Sequence, residues 1–169
     1  LEMYRGDSFQ VVVDKPEYAL AIAIALRAKL KAETPDGQKL WDARLGVGVG
    51  DISFESDNIV TSDGEAFRLS GHSFDHIGKK RLSISTPWPD FNTNIELVTR
   101  FADDLITSWT AKQARVVYQS MLFPKLQKDL AEELDMTRQN FNYHWSSARG
   151  QLILDYIEYF KSLISKYIR

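Results

Sequence analysis

The chain has 169 residues, 44% of them apolar, so the expectation is a packed core of one ordinary domain with a small second one, not disorder. It has no cysteine, which excludes disulfides, thiolate chemistry and Cys-ligated zinc and fits a reducing, cytoplasmic setting; no apolar run approaches the roughly 18 residues that span a bilayer, so no membrane partner is expected. The net charge of −2 divides unevenly, with nine Lys/Arg against six Asp/Glu in residues 110–169 and twelve against seventeen in residues 1–109, a distribution that suits nucleic-acid contact by the C-terminal part.

In chain order, Met3–Arg5 and Ser8–Asp14 read as two strands about a tight Gly6–Asp7 turn, with Phe9, Val11 and Val13 alternating with their neighbours. Because the chain opens at Leu1, almost inside this run, an N-terminal segment of the gene product is expected to precede it. Pro16 is a good first-turn residue for a helix that runs to about Ala32. Thr34 to Gly37 is a turn, and Ala43–Gly50 is a strand in which Leu45, Val47 and Val49 alternate with glycines. A short return strand is expected near Ile59–Thr61. Ser62 and Glu65, three apart, have the form of a capping box opening a helix to about Ile77. Arg81–Thr86 is a further strand, stopped by Pro87 and Pro89. Phe91 to Trp109 reads as a helix with Ile95, Val98, Phe101, Ala102, Leu105 and Trp109 as its apolar face. From Lys112 onward the pattern is helical throughout. The division therefore falls near Trp109–Ala111, between an α+β domain of residues 1–109 and an all-α domain of residues 110–169.

The main signal lies between Lys125 and Gly150. Leu126, Leu130, Ala131 and Leu134 share one helical face, and Met136, Phe141 and Trp145 follow on the next helix. Ala131 supplies the small side chain that two closely crossing helices need, and Thr137 is a fit N-cap for the second helix. That second helix offers Arg138, Gln139, Asn140, Asn142 and Tyr143 outward. Arg reads guanine, and Asn or Gln reads adenine, by bidentate hydrogen bonds in the major groove. Gln127 and Lys128 at the start of the first helix, and Arg149 after the second, are candidates for phosphate contact. No acid stands between Met136 and Gly150. The expected partner is double-stranded DNA, and this module needs no cofactor. The competing reading is an ordinary helical hairpin with a solvated polar face, or a protein–protein adaptor.

The run Gln127-x-x-Leu-Ala-x-x-Leu-x-Met-Thr-x-x-x-Phe-x-x-x-Trp145 resembles the helix-turn-helix of sigma-factor region 4 and related bacterial regulators. Thr110 and Gln113 are similar to the threonine–glutamine start of the helix before that motif. Asp135 stands where such proteins usually have glycine, so the turn requires Asp in a left-handed conformation. Phe141 replaces a β-branched residue.

Three front segments, Tyr4–Gln10, Ala43–Gly50 and Ser62–Gly71, resemble in order and chemistry the class III nucleotide cyclases and their diguanylate-cyclase-like cousins. The whole resembles the SatD-like bacterial family, a cyclase-like domain followed by a helix-turn-helix. The resemblance implies a ferredoxin-like, nucleotide-cyclase-like sheet, lacking its first strand in this chain. It implies a nucleotide pocket around Gly6, Asp7, Ser8 and Asp63, with Asp7 as a Mg²⁺ ligand. Only one candidate metal carboxylate is recognisable, so no catalytic residue is assigned. The favoured reading is a regulator with a degenerate nucleotide-sensing domain; the rival is a divergent nucleotidyl cyclase with a helical interaction module.

Other residues carry bland readings. Gly46, Gly48 and Gly50 suit close packing of a helix on a strand, and no Walker lysine follows them. Asp63 and Glu65 suit a helix start. His72 and His76 have metal-compatible spacing without a third ligand. His144 touches phosphate or nothing in particular. The stripe Leu152, Ile153, Tyr156, Ile157, Phe160, Leu163, Ile164 and Tyr167 must bury against the front domain or against a second copy; a homodimer would suit a two-fold DNA site.

Overall fold

The computed structural model describes residues 2–4, 8–53, 63–123 and 125–168. β1 (Glu2–Tyr4) and β2 (Ser8–Gln10) pair antiparallel with Met3 opposite Phe9, the expected hairpin, but the ladder stops at Gln10, short of Asp14. Pro16–Tyr18 forms a 3₁₀ turn leading into α1 (Ala19–Ala32). β3 (Leu45–Gly48) is followed by β4 (Ile52–Ser53), which pairs antiparallel with β5 (Asp63–Gly64). The return strand expected at residues 59–61 lies outside the described residues. α2 spans Glu65–Asp75, and its N-cap is Gly64. Glu65 is thus the first helical residue; the expected capping box rests on Ser62, which lies outside the described residues. β6 (Leu82–Ser85) runs parallel to β3, Leu45 opposite Leu82. α3 (Pro89–Ser108) begins at Pro89, which opens the helix as well as ending the extended run before it. α4 (Ala111–Leu122), α5 (Gln127–Glu133), α6 (Arg138–Ser147) and α7 (Gly150–Ile164) complete the chain. The front is mixed α/β and the back largely helical. Among the described residues the strands form three two-stranded ladders, not one continuous sheet.

Small residues let α2 lie directly on β3. A Cβ at Gly46 would stand 2.6 Å from the Ser70 carbonyl oxygen, and one at Gly48 only 2.2 Å from that of Ala66. These contacts are with backbone, which cannot swing aside.

On α1 the buried stripe is Leu20, Ala23, Ile24, Arg27, Ala28, Lys31 and Ala32, so two cations share the core face with alanines and aliphatics. Arg27 is 0% exposed. Its guanidinium grips Asp42 through two bonds, Nε to Oδ1 and Nη2 to Oδ2, each 2.9 Å. Nη1 reaches Asp103 Oδ1 at 2.6 Å and Nη2 also donates to the Thr107 hydroxyl. Lys31 donates to the Thr107 carbonyl and lies 3.4 Å from Asp42 Oδ2. Asp103 accepts in turn from the Arg81 backbone N–H at the entry to β6. Burial alone would push the Asp42 carboxyl up. Arg27, Lys31 and the Ala43 N–H more than offset it and hold Asp42 below the usual carboxylate range. Burial pulls the Lys31 amine below an ordinary lysine, with Asp42 resisting.

The remaining core is built around α7. Ile153, Tyr156, Ile157, Phe160, Leu163 and Ile164 are buried in one cluster with α1, α3 and α4, and Phe160 meets Phe91 edge-on at 5.8 Å between ring centroids. The terminal stripe is therefore consumed within the chain, although Leu152 stays exposed. This core crosses the compositional division at residues 109–111. Trp109 is buried and Arg115 of α4 donates to the Ala32 carbonyl at the end of α1.

On α3 the buried face differs from the expected one. Ile95 and Ala102 are inside, but Phe101 is 65% exposed and Val98 is exposed, while Thr99 and Asp103 are buried in their place. The reason is polar: Asp103 serves Arg27, and Thr99 Oγ shares a 2.7 Å hydrogen bond with the Tyr156 hydroxyl. Burial raises that phenol well above its ordinary value.

Gly48→Ala is expected to destabilise the chain by about 3 kcal/mol, read as the urea midpoint at constant slope, because the added methyl meets backbone. Arg27→Ala is expected to cost about 3–5 kcal/mol by the same measurement, because it strands two buried carboxylates. Asp42 has its pKa lowered on folding, so its contribution is complete above the unfolded value and is lost as pH falls below about 4. Asp42→Asn should lower stability at neutral pH and flatten that acid limb in pH-dependent unfolding.

Candidate nucleic-acid interface

α4 begins with a complete capping box. The Thr110 hydroxyl accepts from the Gln113 N–H and the Gln113 side chain accepts from the Thr110 N–H. α5 and α6 pack against α4 around a second small core of Val116, Leu130, Ala131 and Phe141, with Leu134, Met136 and Trp145 partly buried against it. Ala131 is buried where the helices meet, as expected. Leu126 is not part of this core. It is the residue before α5 and is 73% exposed. The link between the helices turns on Asp135, whose φ of 51° puts it in the left-handed region. The Met136 N–H returns to the Ala131 carbonyl at 2.9 Å. Thr137 then caps α6, its hydroxyl accepting from the Asn140 N–H at 3.1 Å.

A corner follows. Arg149, at φ 57°, is left-handed and stands at the N-cap of α7. The glycine beside it is required for a different reason: a Cβ on Gly150 would fall 2.3 Å from the Trp145 ring. Trp109 Nε1 donates to the Ala148 carbonyl at 2.9 Å, tying the same corner to the end of α3. Both ends of α6 are thus fixed, one by a hydroxyl cap and the other by two tryptophans.

With Phe141 and Trp145 turned inward, the opposite side of α6 faces solvent. Gln127, Lys128, Thr137, Arg138, Gln139, Asn140, Tyr143 and Arg149 are exposed and Asn142 is half-buried. Tyr143 is 66% exposed, a large aromatic left in water with its edge toward His144. Burial and then nearby Lys112 lower the His144 pKa, so this imidazole is a neutral hydrogen-bonding group at neutral pH and not a cation. Lys125 is paired with Glu133. The outward middle of α5 carries Asp129 and Glu132, both exposed, which confines any phosphate contact on this helix to its start.

Two features escaped the sequence reading. Ser146 and Ser147 are exposed and continue the Gln139–Tyr143 face at helical spacing, and Lys112 of α4 lies close enough to bear on His144. The spacing of three and four residues from Tyr143 was legible; the approach of Lys112 was not, because it depends on how α4 packs on α6.

The front residues fall differently. Gly6 and Asp7 lie outside the described residues. Ser8 is exposed on β2, and Asp63 takes part in the β4–β5 ladder opposite Ser53. His72 and His76 stack on one another at 4.2 Å, and His76 Nδ1 lies 2.9 Å from the His72 carbonyl. Among the described residues no three His, Cys, Asp or Glu side chains group as metal ligands. Among the described residues no helix is long and apolar enough to cross a membrane. Comparison with protein-family models, curated proteins and solved structures finds no match to this chain.

Arg149→Gly should relieve the left-handed strain and raise stability by about 1 kcal/mol in urea unfolding. A loss of stability would mean that the Arg149 side chain, and not its backbone, holds the corner.

Proposed function

We propose that the chain is a DNA-binding protein, a bacterial transcriptional regulator, in which α5 and α6 act as a helix-turn-helix and α6 reads the major groove. The observation that carries this reading is the solvent face of α6. Arg138, Gln139, Asn140 and Tyr143 project from a helix held by a hydroxyl cap and a buried Phe141–Trp145 face, with no carboxylate between Met136 and Gly150. Base reading needs donors and acceptors on a helix of fixed pose, and these are the residue types with bidentate matches to purines. A merely solvated hairpin has no need to leave a tyrosine and several long amide and guanidinium groups on one face.

In this reading Arg138, Gln139, Asn140, Asn142 and Tyr143 meet base edges, and Gln127, Lys128 and Arg149 meet phosphates. Thr137 sets the start of the reading helix. The front region is a SatD-like, cyclase-like input domain spanning residues 1–109, and the reading domain spans residues 110–169. The nucleotide and Mg²⁺ roles of Gly6, Asp7, Ser8 and Asp63 rest on the family resemblance. A homodimer would match a two-fold operator, and it would use a surface other than the stripe on α7, which is occupied within the chain.

A selection of duplex fragments from genomic DNA at low salt is expected to enrich a preferred sequence. Arg138→Ala and Gln139→Ala should each cost about 1–3 kcal/mol on that sequence and relax the preference at one position. Lys128→Ala should weaken all duplexes alike and reduce the salt slope by about 1. Failure of the intact protein to bind any duplex at low salt would sink the proposal.

A further inference from the structure

The outward side of α3 is apolar. Leu97, Val98 and Phe101 face solvent, Leu97 56% and Phe101 65% exposed, and half-buried Leu105 extends the row by one turn. α7 continues this surface. The two helices run antiparallel, tied at three levels: Phe91 meets Phe160, Thr99 meets Tyr156, and Trp109 meets the Ala148 carbonyl just before α7. At about 3.6 residues per turn, Val98 and Leu105 then fall on the flank of α3 beside α7, and Leu152 and Tyr159 on the flank of α7 beside α3. Leu152, the member of the α7 stripe left outside the core, is 56% exposed, and Tyr159 is exposed too. One continuous apolar face therefore spans both helices, which lie wholly within the described residues. Single exposed apolar side chains need no explanation; a contiguous set does.

We infer that a second copy of this chain packs on this face, giving a two-fold dimer through α3 and the outer flank of α7. Area is the first argument. The exposed apolar side chains present on the order of 500 Å², near the top of the range of about 300–600 Å² for the largest patch on a monomer. With its polar rim the face reaches the roughly 800 Å² per partner of a standard interface. Shape is the second: the sides of two neighbouring helices are ridged surfaces, which suit helix-on-helix packing. Charge is the third. Arg100 and Asp104, exposed and one turn apart on the rim, make no ion pair with the described residues. A two-fold contact sets a surface against itself, so a rim of one sign would repel its copy. This rim carries both signs, and each copy's Arg100 can meet a carboxylate of the other. Asp104 and Asp155 border the face, which disfavours an anionic lipid surface. α7 leaves the corner that fixes α6, so a contact at Leu152 would hold two copies of α6 in one assembly, as a two-fold duplex site requires. The purpose of the dimer rests on the duplex reading of α6; the face itself does not.

Sedimentation velocity of the full chain, with no ligand added, tests the inference. Raising the chain concentration should bring up a species of twice the chain mass. Phe101→Asp and Leu152→Asp each place a carboxylate within the face, and each should raise the dimer dissociation constant roughly a hundredfold. Both positions are exposed, so the urea midpoint of each variant, read where the chain is monomeric, should stay near that of the parent. If an aspartate disturbs folding, Phe101→Ser gives the same reading with a smaller shift. Leu126→Asp, at an exposed residue before α5 and off this face, should leave the dimer intact. The inference fails if the chain stays monomeric at every concentration, or if a dimer survives both Phe101→Asp and Leu152→Asp. It also fails if a monomeric chain uses the face to bind phosphatidylcholine vesicles instead. A monomer that still selects a duplex sinks the dimer alone, and a dimer that binds no duplex sinks only the reading of α6.

Discussion

The buried guanidinium of Arg27 is the constraint on which the front of the molecule depends. It holds Asp42 from the loop after α1 and Asp103 from α3, and Asp103 in turn holds the Arg81 N–H where β6 begins. Four segments far apart in sequence meet at one fully desolvated charge. Such a charge costs several kcal/mol to bury and is tolerated only when its hydrogen bonds are complete. Here no buried side-chain polar atom among the described residues lacks a partner. The network therefore specifies geometry more than it adds stability: any arrangement that displaces Asp42 or Asp103 leaves an unpaired ion in the core.

That geometry carries through to the helical region. α1 is locked to α3 by Arg27, and α4 is joined to the end of α1 by the Arg115 bond to the Ala32 carbonyl. The end of α3 reaches the α6–α7 corner through Trp109 and the Ala148 carbonyl. The two compositional halves of the chain thus share a core and specific polar ties, the Thr99–Tyr156 hydrogen bond among them, and α6 takes its orientation from residues of the front region as well as from its own small cluster.

Much of this was legible in the sequence because it is local. Thr110 with Gln113, Thr137, Ala131, Asp135 and the glycines of β3 each answer a short-range demand: a free amide, a close crossing, a left-handed turn, a helix laid on a strand. The long-range choices were not legible. Val98 and Phe101 look like core on α3 by hydrophobicity, yet the helix is rotated so that Asp103 and Thr99 face inward, since a carboxylate is needed by an arginine 76 residues away. Arg27 and Lys31 fall on the apolar stripe of α1 at helical spacing, a sign visible in the sequence, but their partners could be named only once the chain was folded. Short ladders were overextended for a related reason. The β-branched run at residues 11–13 has strand propensity, but propensity without a partner edge makes no ladder.

The candidate interface places its strain where it constrains position. Asp135 and Arg149 are the non-glycine residues with positive φ among those described, and they bracket α6 at its two ends. A glycine at either place would be easier for the backbone and looser for the helix between them. At Arg149 the neighbouring Gly150 is already committed, because the Trp145 ring occupies the space of its missing side chain. The corner therefore concentrates strain on the one residue whose side chain is free to leave toward solvent as a cation. Holding α6 to a fixed pose costs something wherever it is done, and here the cost falls at its two ends, with an exposed cation carried on the second.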